Sequence, residues 1–351
     1  SRVGESLYWT ARYIERAENT ARFIDVNLHM SLDAPISFSN QWEPLIAITG
    51  SRDHYMTTHE GFSRESVIHY LSFDLDNPSS IASCLAKARE NARSIREALS
   101  SDTWQQINRF YLMVSNGSAA QKALNDSGPF FAEVRLLSHL IAGVTDNTMS
   151  HGEAWHFMRL GRLVERADNT SRLLDVKYFL LLPSLRDVGG PVDEMQWSIL
   201  LRSATALEMY RKRYGRITPE QVVEFLLLDH EFPRSVLFCL INAEASLHAI
   251  SGSPEGTYQN LPERLLGQLR SELAYLQVYD IIASGLHEFL DAFQGKLNRV
   301  GEAIGATFFA QQPIASHSPR AGGRAYSDVL SGHQGQRGSG GDLGYAGHLG
   351  Q

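Results

Sequence analysis

A stripe of polar side chains lies along one face of a helix predicted near the start of the chain. Its members recur with the 3-4-3-4-3 spacing that places residues on one helix face: Glu5, Tyr8, Arg12, Glu15, Asn19 and Arg22. The planar guanidinium of arginine binds a carboxylate or phosphate at two points, and a glutamate can act as a general base. The stripe therefore has the residue types for anion binding, and Glu5 and Glu15 are candidate catalytic bases.

Much of this stripe occurs a second time, 150 residues further along the chain. Residues 11–26 and 161–176 are identical at nine of sixteen positions. The second copy keeps the arginines, the glutamate and the asparagine, whereas Trp155 and Met158 stand in the places of Glu5 and Tyr8. The duplication predicts two related helices in a pseudo-symmetric fold, whose two halves are not functionally equivalent.

Two interpretations of the doubled stripe are open from the sequence. In the first, the Arg and Glu side chains form a buried structural network between the two helices. In the second, the side chains face a ligand. The candidate ligand-binding residues are then Tyr8, Arg12, Arg16, Asn19, Arg162, Glu165, Arg166 and Asn169. The chain has five lysines against 27 arginines, so part of the arginine in both copies reflects a general preference.

Two further groups of basic residues lie in the second half of the chain. Pro233-Arg234-Ser235 is predicted to be the first turn of a helix, where free backbone amides favour an anion that Arg234 and Ser235 hold. The alternative is an ordinary helix start with an ion pair to a nearby carboxylate. Tyr210, Arg211 and Tyr214 belong to a segment with four positive charges in seven residues, which could bind a phosphate or an acidic peptide. A solvated helix end explains that segment equally well.

The metal-site signals in the sequence are weak. Glu153 and His156 have the i,i+3 spacing of di-iron bundles, but no second Glu-x-x-His occurs in the chain. The remaining Glu/His pairs have i,i+4 spacing only, and the aspartates at 74–76 do not form the carboxylate cluster of a magnesium-pyrophosphate enzyme. We therefore predict no bound metal and no cofactor.

The elements that must position these residues are predicted to be helices. An interior proline costs a helix about 3 kcal/mol. Four long stretches lack proline: 1–34, 79–128, 130–182 and 263–312. Apolar residues recur every three or four positions within them, which is the helical period. We predict an all-α multi-helix bundle of nine to eleven helices, with clear helix starts at Asn77-Pro78 and Thr218-Pro219.

Composition divides the chain into a helical domain and a tail. We predict a domain over 1–315, built of related halves at about 1–148 and 149–315. Glycine takes ten of the 31 positions from 321 to 351, and large aliphatic residues nearly vanish there. Such a segment cannot bury enough apolar surface to fold, so 316–351 is predicted to be a disordered glycine-rich tail.

Charge and hydropathy exclude several functional classes. The net charge of −7 argues against a nucleic-acid-binding protein. No apolar run is long enough to span a bilayer, and the first residues lack the apolar core of a signal peptide, so no membrane segment is predicted. Cys84 and Cys239 lie far apart with no cysteine near either, which favours a reducing cytoplasm.

Several motifs, in this order along the chain, resemble those of the bacterial alpha-E family. They are residues 1–9, 12–22, 155–172, 210–214, 224–229 and 232–236. The resemblance extends from residue 1 to about residue 310. It implies an all-helical protein encoded beside, or fused to, a circularly permuted ATP-grasp ligase, often near transglutaminase-like and proteasome-like peptidases. It also suggests Glu5 as the glutamate for which the family is named.

The resemblance implies two classes of function. The first is an accessory or scaffold protein that holds an ATP-grasp amide ligase or its peptide substrate, in peptide synthesis or protein modification, and binds an anionic peptide or metabolite. The alternative is an enzyme of acyl, amide or peptide chemistry. In that case Glu5 or Glu15 is the general base, and Arg12, Arg162 and Arg234 are anion clamps.

Overall fold

A computed structural model describes residues 1–33, 42–180 and 191–310 of the chain. Within these ranges the regular structure is helical and no strand occurs, so the predicted all-α fold is confirmed. The first eight helices are α1 (Arg2–Asp33), α2 (Glu43–Ile48), α3 (Arg52–Met56), α4 (Arg64–Ser72), α5 (Ile81–Ser94), α6 (Ser101–Ser115), α7 (Ala119–Asn125) and α8 (Ser127–Thr148). The next eight are α9 (Glu153–Leu180), α10 (Pro191–Ser203), α11 (Leu207–Arg213), α12 (Pro219–Leu228), α13 (Val236–Ser251), α14 (Leu261–Tyr275), α15 (Val278–Ser284) and α16 (Leu286–Ile304).

The predicted count of nine to eleven helices is wrong, because several helices are only one or two turns long. Serine or asparagine caps separate many of them, and such caps leave a weaker mark in a sequence than proline. Ser80 and Ser100 cap α5 and α6 by accepting a hydrogen bond from the amide three residues further on. Thr218 caps α12 as predicted, whereas Asn77-Pro78 lies in a turn before α5.

The two copies of the repeated segment lie on α1 and α9, which pack side by side at the centre of the described structure. The contacts advance together along both helices: Gly4 meets Phe157, Tyr8 meets Gly161 and Arg12 meets Glu165. The two helices therefore run in the same direction. The predicted apolar stripe of α1 is confirmed as core, since every member is less than a tenth exposed: Leu7, Ala11, Ile14, Ala17, Ala21 and Ile24.

The neighbours of α1 and α9 follow the same succession. Helices α5 and α8 pack on α1, and α13 and α16 pack on α9. In each set the intervening long helix, α6 or α14, packs on both flanking helices. The division of the whole chain into two related halves stays a prediction, since sequence similarity is confined to one segment.

The compact unit covers Ser1–Gln311. The glycine-rich tail predicted at 316–351 lies outside the described residues. Among the helices within the described ranges, none combines the length and the apolar character that crossing a bilayer requires.

Candidate functional site

Two buried glutamates lie where α1 and α9 meet, and each is bound by arginines from the opposite helix. Arg16 donates to both oxygens of Glu165, with Nε–Oε1 at 2.7 Å and Nη2–Oε2 at 3.0 Å. Arg166 donates to both oxygens of Glu15 with the same two distances. The glutamate of each Glu-Arg dipeptide thus binds the arginine of the other dipeptide. We call this reciprocal arrangement the double clamp.

Each glutamate of the double clamp also receives an asparagine from its own helix. The Nδ2 atoms of Asn19 and Asn169 donate to the backbone carbonyls of Glu15 and Glu165 at 2.9 Å. The same atoms lie 3.5 Å from the Oε1 atoms of these glutamates. The two asparagines thus make the same contacts in both copies, mainly to the backbone of the glutamate one turn earlier.

A second guanidinium contacts each carboxylate, but it comes from a different place in each case. Glu165 accepts from Arg12 of α1, with Nε–Oε2 at 2.8 Å. Glu15 accepts from Arg234, which lies between α12 and α13, with Nη1–Oε1 at 3.2 Å. Arg234 therefore takes the place on Glu15 that Arg162, the repeat counterpart of Arg12, would otherwise occupy.

A second acidic residue extends the double clamp along α1. Glu18 is fully buried, accepts from Arg234 at 3.0 Å and pairs with Arg22 of its own helix. His139 of α8 lies over the same carboxylate, with Nε2–Oε1 at 3.4 Å. Burial, together with the charges of Arg22 and Arg234, lowers the pKa of His139 to about 4. This imidazole is therefore neutral near pH 7.

The arginines of the double clamp hold both glutamates as carboxylates. Burial on its own would raise the pKa of Glu165, but the charges of Arg16 and Arg12 outweigh burial and lower the pKa to about 2. The same balance, with Arg166 and Arg234, holds the pKa of Glu15 well below its usual range. An efficient general base has a pKa near the working pH. Glu15 is therefore poorly suited to the catalytic role considered from the sequence.

Arg162 differs from every other arginine of this region. Within the described ranges its guanidinium makes no hydrogen bond and no ion pair, although the side chain is half-buried. Burial, together with the charge of Arg166, lowers the pKa of Arg162. An unpaired cation in such a place is costly and is best relieved by an anion.

Arg162 lines a narrow cleft between α1, α8 and α9 with a volume of about 40 Å³. The polar lining includes His139, Asp146, Arg159 and Arg166. The apolar lining consists of Ala11, Ile14, Ile141, Ala142, Trp155 and Met158. Arg159 and Arg166 already have partners, since Arg159 donates to the Asn242 carbonyl at 3.2 Å and Arg166 to Glu15. The cleft therefore presents one available guanidinium within largely apolar walls.

The charges of this region do not balance. Its arginines are Arg12, Arg16, Arg22, Arg162, Arg166 and Arg234, and its carboxylates are Glu15, Glu18 and Glu165. The six arginines thus exceed the three carboxylates by three positive charges, and Arg162 is the one of the six that makes no ion pair with the described residues. A small anion in the cleft would reduce this excess.

Glu5 and Tyr8 lie outside the lining of the cleft. Glu5 is half-buried near the start of α1 and makes no hydrogen bond or ion pair with the described residues. Tyr8 is only 2% exposed, and its hydroxyl accepts from Arg12 at 3.3 Å. A ligand in the cleft would not meet either side chain, because neither lines it.

The other predicted basic sites serve mainly structural roles. Ser235 is the residue before α13, so Arg234 precedes that helix and is not in its first turn. The Ser235 hydroxyl donates to the Asp229 carbonyl at 2.7 Å and is fully buried. Tyr210 is likewise in the core, and Tyr214 donates to Glu224 at 3.2 Å. The predicted anion site at the start of α13 is therefore not formed.

The remaining candidate of that group, Arg211, is exposed on α11, and its side chain makes no hydrogen bond or ion pair with the described residues. It lies outside the lining of the cleft. The basic segment thus behaves as a helix end, with Arg213 paired to Asp229.

Sequence reasoning missed residues that come from α8 and from the first turns of α9. His139 and Asp146 belong to no motif, and they reach the cleft only because α8 packs on α1. Trp155 stands in the place of Glu5 in the second copy; its Nε1 donates to Asp146 at 2.9 Å, and both residues line the cleft. The difference between Glu5 in the first copy and Trp155 in the second is the sequence feature that indicates this residue.

Metal-ligating and thiol chemistry is poorly supported by the described residues. In ranges 1–33, 42–180 and 191–310, no group of three or more His, Cys, Asp or Glu side chains is arranged to hold a metal ion. Cys84 and Cys239 are buried and unpaired, and burial raises the pKa of Cys239 to about 12. Such a thiol is a poor nucleophile.

A family model matches residues 1–309 of the chain. It is Alpha-E, described as a predicted alpha-helical domain with a conserved ER motif. Glu15-Arg16 and Glu165-Arg166 fit that description, and they are the two dipeptides that form the double clamp. Glu5 is followed by serine, so the expectation that it is the glutamate of this motif is wrong.

Two mycobacterial proteins are among the relatives of the chain. Uncharacterized protein Mb2597 of Mycobacterium bovis is 27% identical over 338 residues, and Uncharacterized protein Rv2567 of Mycobacterium tuberculosis is 26% identical over 338 residues. Each match covers 88% of this chain and 37% of the relative. The chain therefore spans little more than a third of the length of these relatives. A comparison with solved structures finds no match.

Proposed function

The chain belongs to the Alpha-E family, and on that premise we propose that it is an accessory helical protein working with an ATP-grasp amide ligase. Its role is in peptide synthesis or protein modification. It binds an anionic peptide or metabolite in the cleft between α1, α8 and α9 and leaves formation of the amide bond to the ligase.

The unpaired Arg162 in the cleft carries this proposal. Every other arginine that lines the cleft already has a partner, so Arg162 is the group that remains for an incoming anion. The excess of positive charge in the surrounding network supports the same polarity of ligand.

The length of the relatives supports a partner protein or domain. Nearly two thirds of each mycobacterial relative lies outside the matched segment. A helical module that is part of a longer chain in relatives is a natural partner for a separate catalytic domain. The buried, unpaired cysteines favour the cytoplasm as the compartment in which the two would meet.

An accessory role is favoured over catalysis by the state of the glutamates. Glu15 is bound by Arg166 and Arg234 and is a weak base for the reason given above. Glu5 does not line the cleft. The best-placed polar group for a ligand is thus a cation, which binds an anion but does not remove a proton.

The test is reconstitution with an ATP-grasp ligase of the kind that the family resemblance implies. Amide product is measured by mass spectrometry with ligase alone, with the parent chain, with Arg162→Met and with Arg299→Met. Arg299 is an exposed arginine on α16 and serves as the matched control. We expect the parent and Arg299→Met to raise product formation, and Arg162→Met to lose at least fivefold of that increase. Equal product with and without the parent chain would overturn the proposal.

A further inference from the structure

The size of the cleft restricts the anionic group that enters it. A water molecule needs roughly 10–15 Å³ of enclosed space, so the enclosed part of the cleft, about 40 Å³, admits a group of about three heavy atoms, and the rest of a ligand lies on the side that is open to solvent. A carboxylate has three heavy atoms, whereas a phosphate has five and a nucleotide many more. The described cleft therefore fits a carboxylate better than a phosphoryl group.

The donors in the cleft point to the same group. Arg162 offers one free guanidinium edge, which matches the two oxygens of a carboxylate in a planar, two-point contact. The neighbouring guanidiniums of Arg159 and Arg166 are held by Asn242 and Glu15. A phosphate has four oxygens, or three terminal oxygens in an ester, and Arg162 is the only arginine of the described cleft without a partner to serve them.

The apolar walls of the cleft indicate which kind of group lies beside the carboxylate. Apolar atoms of Met158, Trp155, Ile141 and Ala142 surround the approach to Arg162. A ligand that placed only charge there would leave these walls unfilled, while an aliphatic side chain beside the carboxylate would pack on them.

We propose that the cleft binds the carboxyl terminus of a peptide that ends in an aliphatic residue, with the carboxylate on Arg162 in the enclosed space and the side chain on the open side of the cleft, against Met158 and Trp155. This inference rests on the proposed function, because it names the ligand class for the same cleft. A peptide carboxyl terminus is also the group that an amide ligase activates, so an accessory protein holding it would present or retain the substrate.

Isothermal titration calorimetry of the full chain tests the assignment. The probes are N-acetyl-alanyl-leucine as the free acid, its carboxyl-terminal amide, and inorganic phosphate. We expect the acid to bind at least tenfold more tightly than the amide and more tightly than phosphate. Arg162→Met should weaken binding of the acid at least tenfold, and Arg299→Met should leave it unchanged.

A second variant tests the position of the ligand. Ala142→Leu adds three heavy atoms to the wall of the cleft while Arg162 stays in place, and we expect it to weaken binding of the acid at least tenfold. Circular dichroism and a thermal melt establish that each variant is folded. Binding of the acid by folded Ala142→Leu with parent affinity would overturn the assignment.

The outcomes also separate this inference from the proposed function. Phosphate binding that is tighter than acid binding and is lost in Arg162→Met would overturn the carboxylate assignment and leave an anion-binding accessory protein. Failure of the acid to bind, combined with a normal Arg162-dependent rise in ligase product, would overturn only the ligand class. Failure of both measurements would overturn both proposals.

Discussion

The two carboxylates of the double clamp have the same neighbours in sequence, but the second arginine that binds each of them comes from a different part of the chain. Glu165 is bound by Arg16 and Arg12, both from α1. The corresponding pair for Glu15 would be Arg166 and Arg162, yet Arg234 binds in place of Arg162. Both arginines available to Glu165 are thus paired, whereas near Glu15 the guanidinium of Arg162 stays free beside the cleft. A duplicated segment has become asymmetric through a residue outside it.

The origin of this difference is a single position before a flanking helix. Helix α5 follows Pro78-Ser79-Ser80 and packs on α1, while α13 follows Pro233-Arg234-Ser235 and packs on α9. Ser80 and Ser235 are the residues before their helices in both cases. Ser79 therefore stands before α5 where Arg234 stands before α13. The side chain of serine is too short to reach Glu165.

The largest expected effect comes from removing one carboxylate at a time. Glu15→Gln leaves the guanidiniums of Arg166, Arg234 and Arg162 close together without the charge that compensates them, so we expect a loss of about 3–5 kcal/mol in the free energy of unfolding. Glu165→Gln leaves only two guanidiniums uncompensated and should cost less. Urea denaturation measures both values.

The control for this pair is Glu90→Gln. Glu90 contacts Arg93 in an exposed ion pair, so its loss should leave the free energy of unfolding nearly unchanged. A Glu165→Gln variant that loses as much stability as Glu15→Gln would show that the third cation near Glu15 is unimportant.

The sequence predicted the helices better than it predicted the pairs of the double clamp or the cleft. The apolar stripe of α1 follows from helical spacing within one segment, whereas the pairing of Arg16 with Glu165 and of Arg166 with Glu15 depends on how α1 and α9 pack together. A buried network was one of the two interpretations offered, and it describes most of the stripe. Arg162 alone fits the other interpretation.

The cleft itself depends on contacts that sequence spacing does not encode. His139 and Arg234 reach Glu18 from α8 and from the segment before α13, more than 100 residues away in the chain. Glu18 lies off the predicted stripe, so nothing in the pattern indicated that it is buried. The predicted start of α13 is one turn too early, because the prediction takes Pro233 as the first helical residue, whereas the helix begins at Val236.

A smaller effect is expected where the two repeated helices come closest. An added Cβ at Gly161 would lie 2.2 Å from the Tyr8 carbonyl oxygen, so α1 and α9 would have to move apart. We expect Gly161→Ala to lower the free energy of unfolding by about 1–3 kcal/mol. The counterpart of Gly161 in the first copy is Ala11, so glycine is required on one side of the repeat only.

Gly143→Ala is the matched control for this substitution. Gly143 lies inside α8, and nothing lies within 4 Å of an added Cβ there. Alanine should therefore stabilise that helix by up to about 1 kcal/mol. Thermal melts of the two variants should shift in opposite directions, and a rise in melting temperature for Gly161→Ala would contradict the close approach of the helices.

The smallest expected effect is on the pH dependence of stability, to which Glu165 and His139 contribute in different pH ranges. The pKa of Glu165 is lowered to about 2, so its stabilisation is complete above the pKa of an unfolded glutamate, about 4.3, and is lost as pH falls towards 2. The pKa of His139 is lowered to about 4, so between about 6.5 and 4 the unfolded chain takes up a proton that the folded chain refuses. Stability therefore falls with pH in this window too.

Urea midpoints measured from pH 7 to pH 3 at constant ionic strength should resolve these two windows. His139→Asn should flatten the profile between about pH 6.5 and 4, and Glu165→Gln should flatten it below about pH 4.3. The His139 step is the smaller, because 57% of that side chain is exposed to solvent. Groups close to His139 include Arg22, Arg166, Arg234, Glu15 and Glu18. The arginines remain charged throughout, so a parent profile that is level between pH 6.5 and 4.5 would show that they do not surround the imidazole as described.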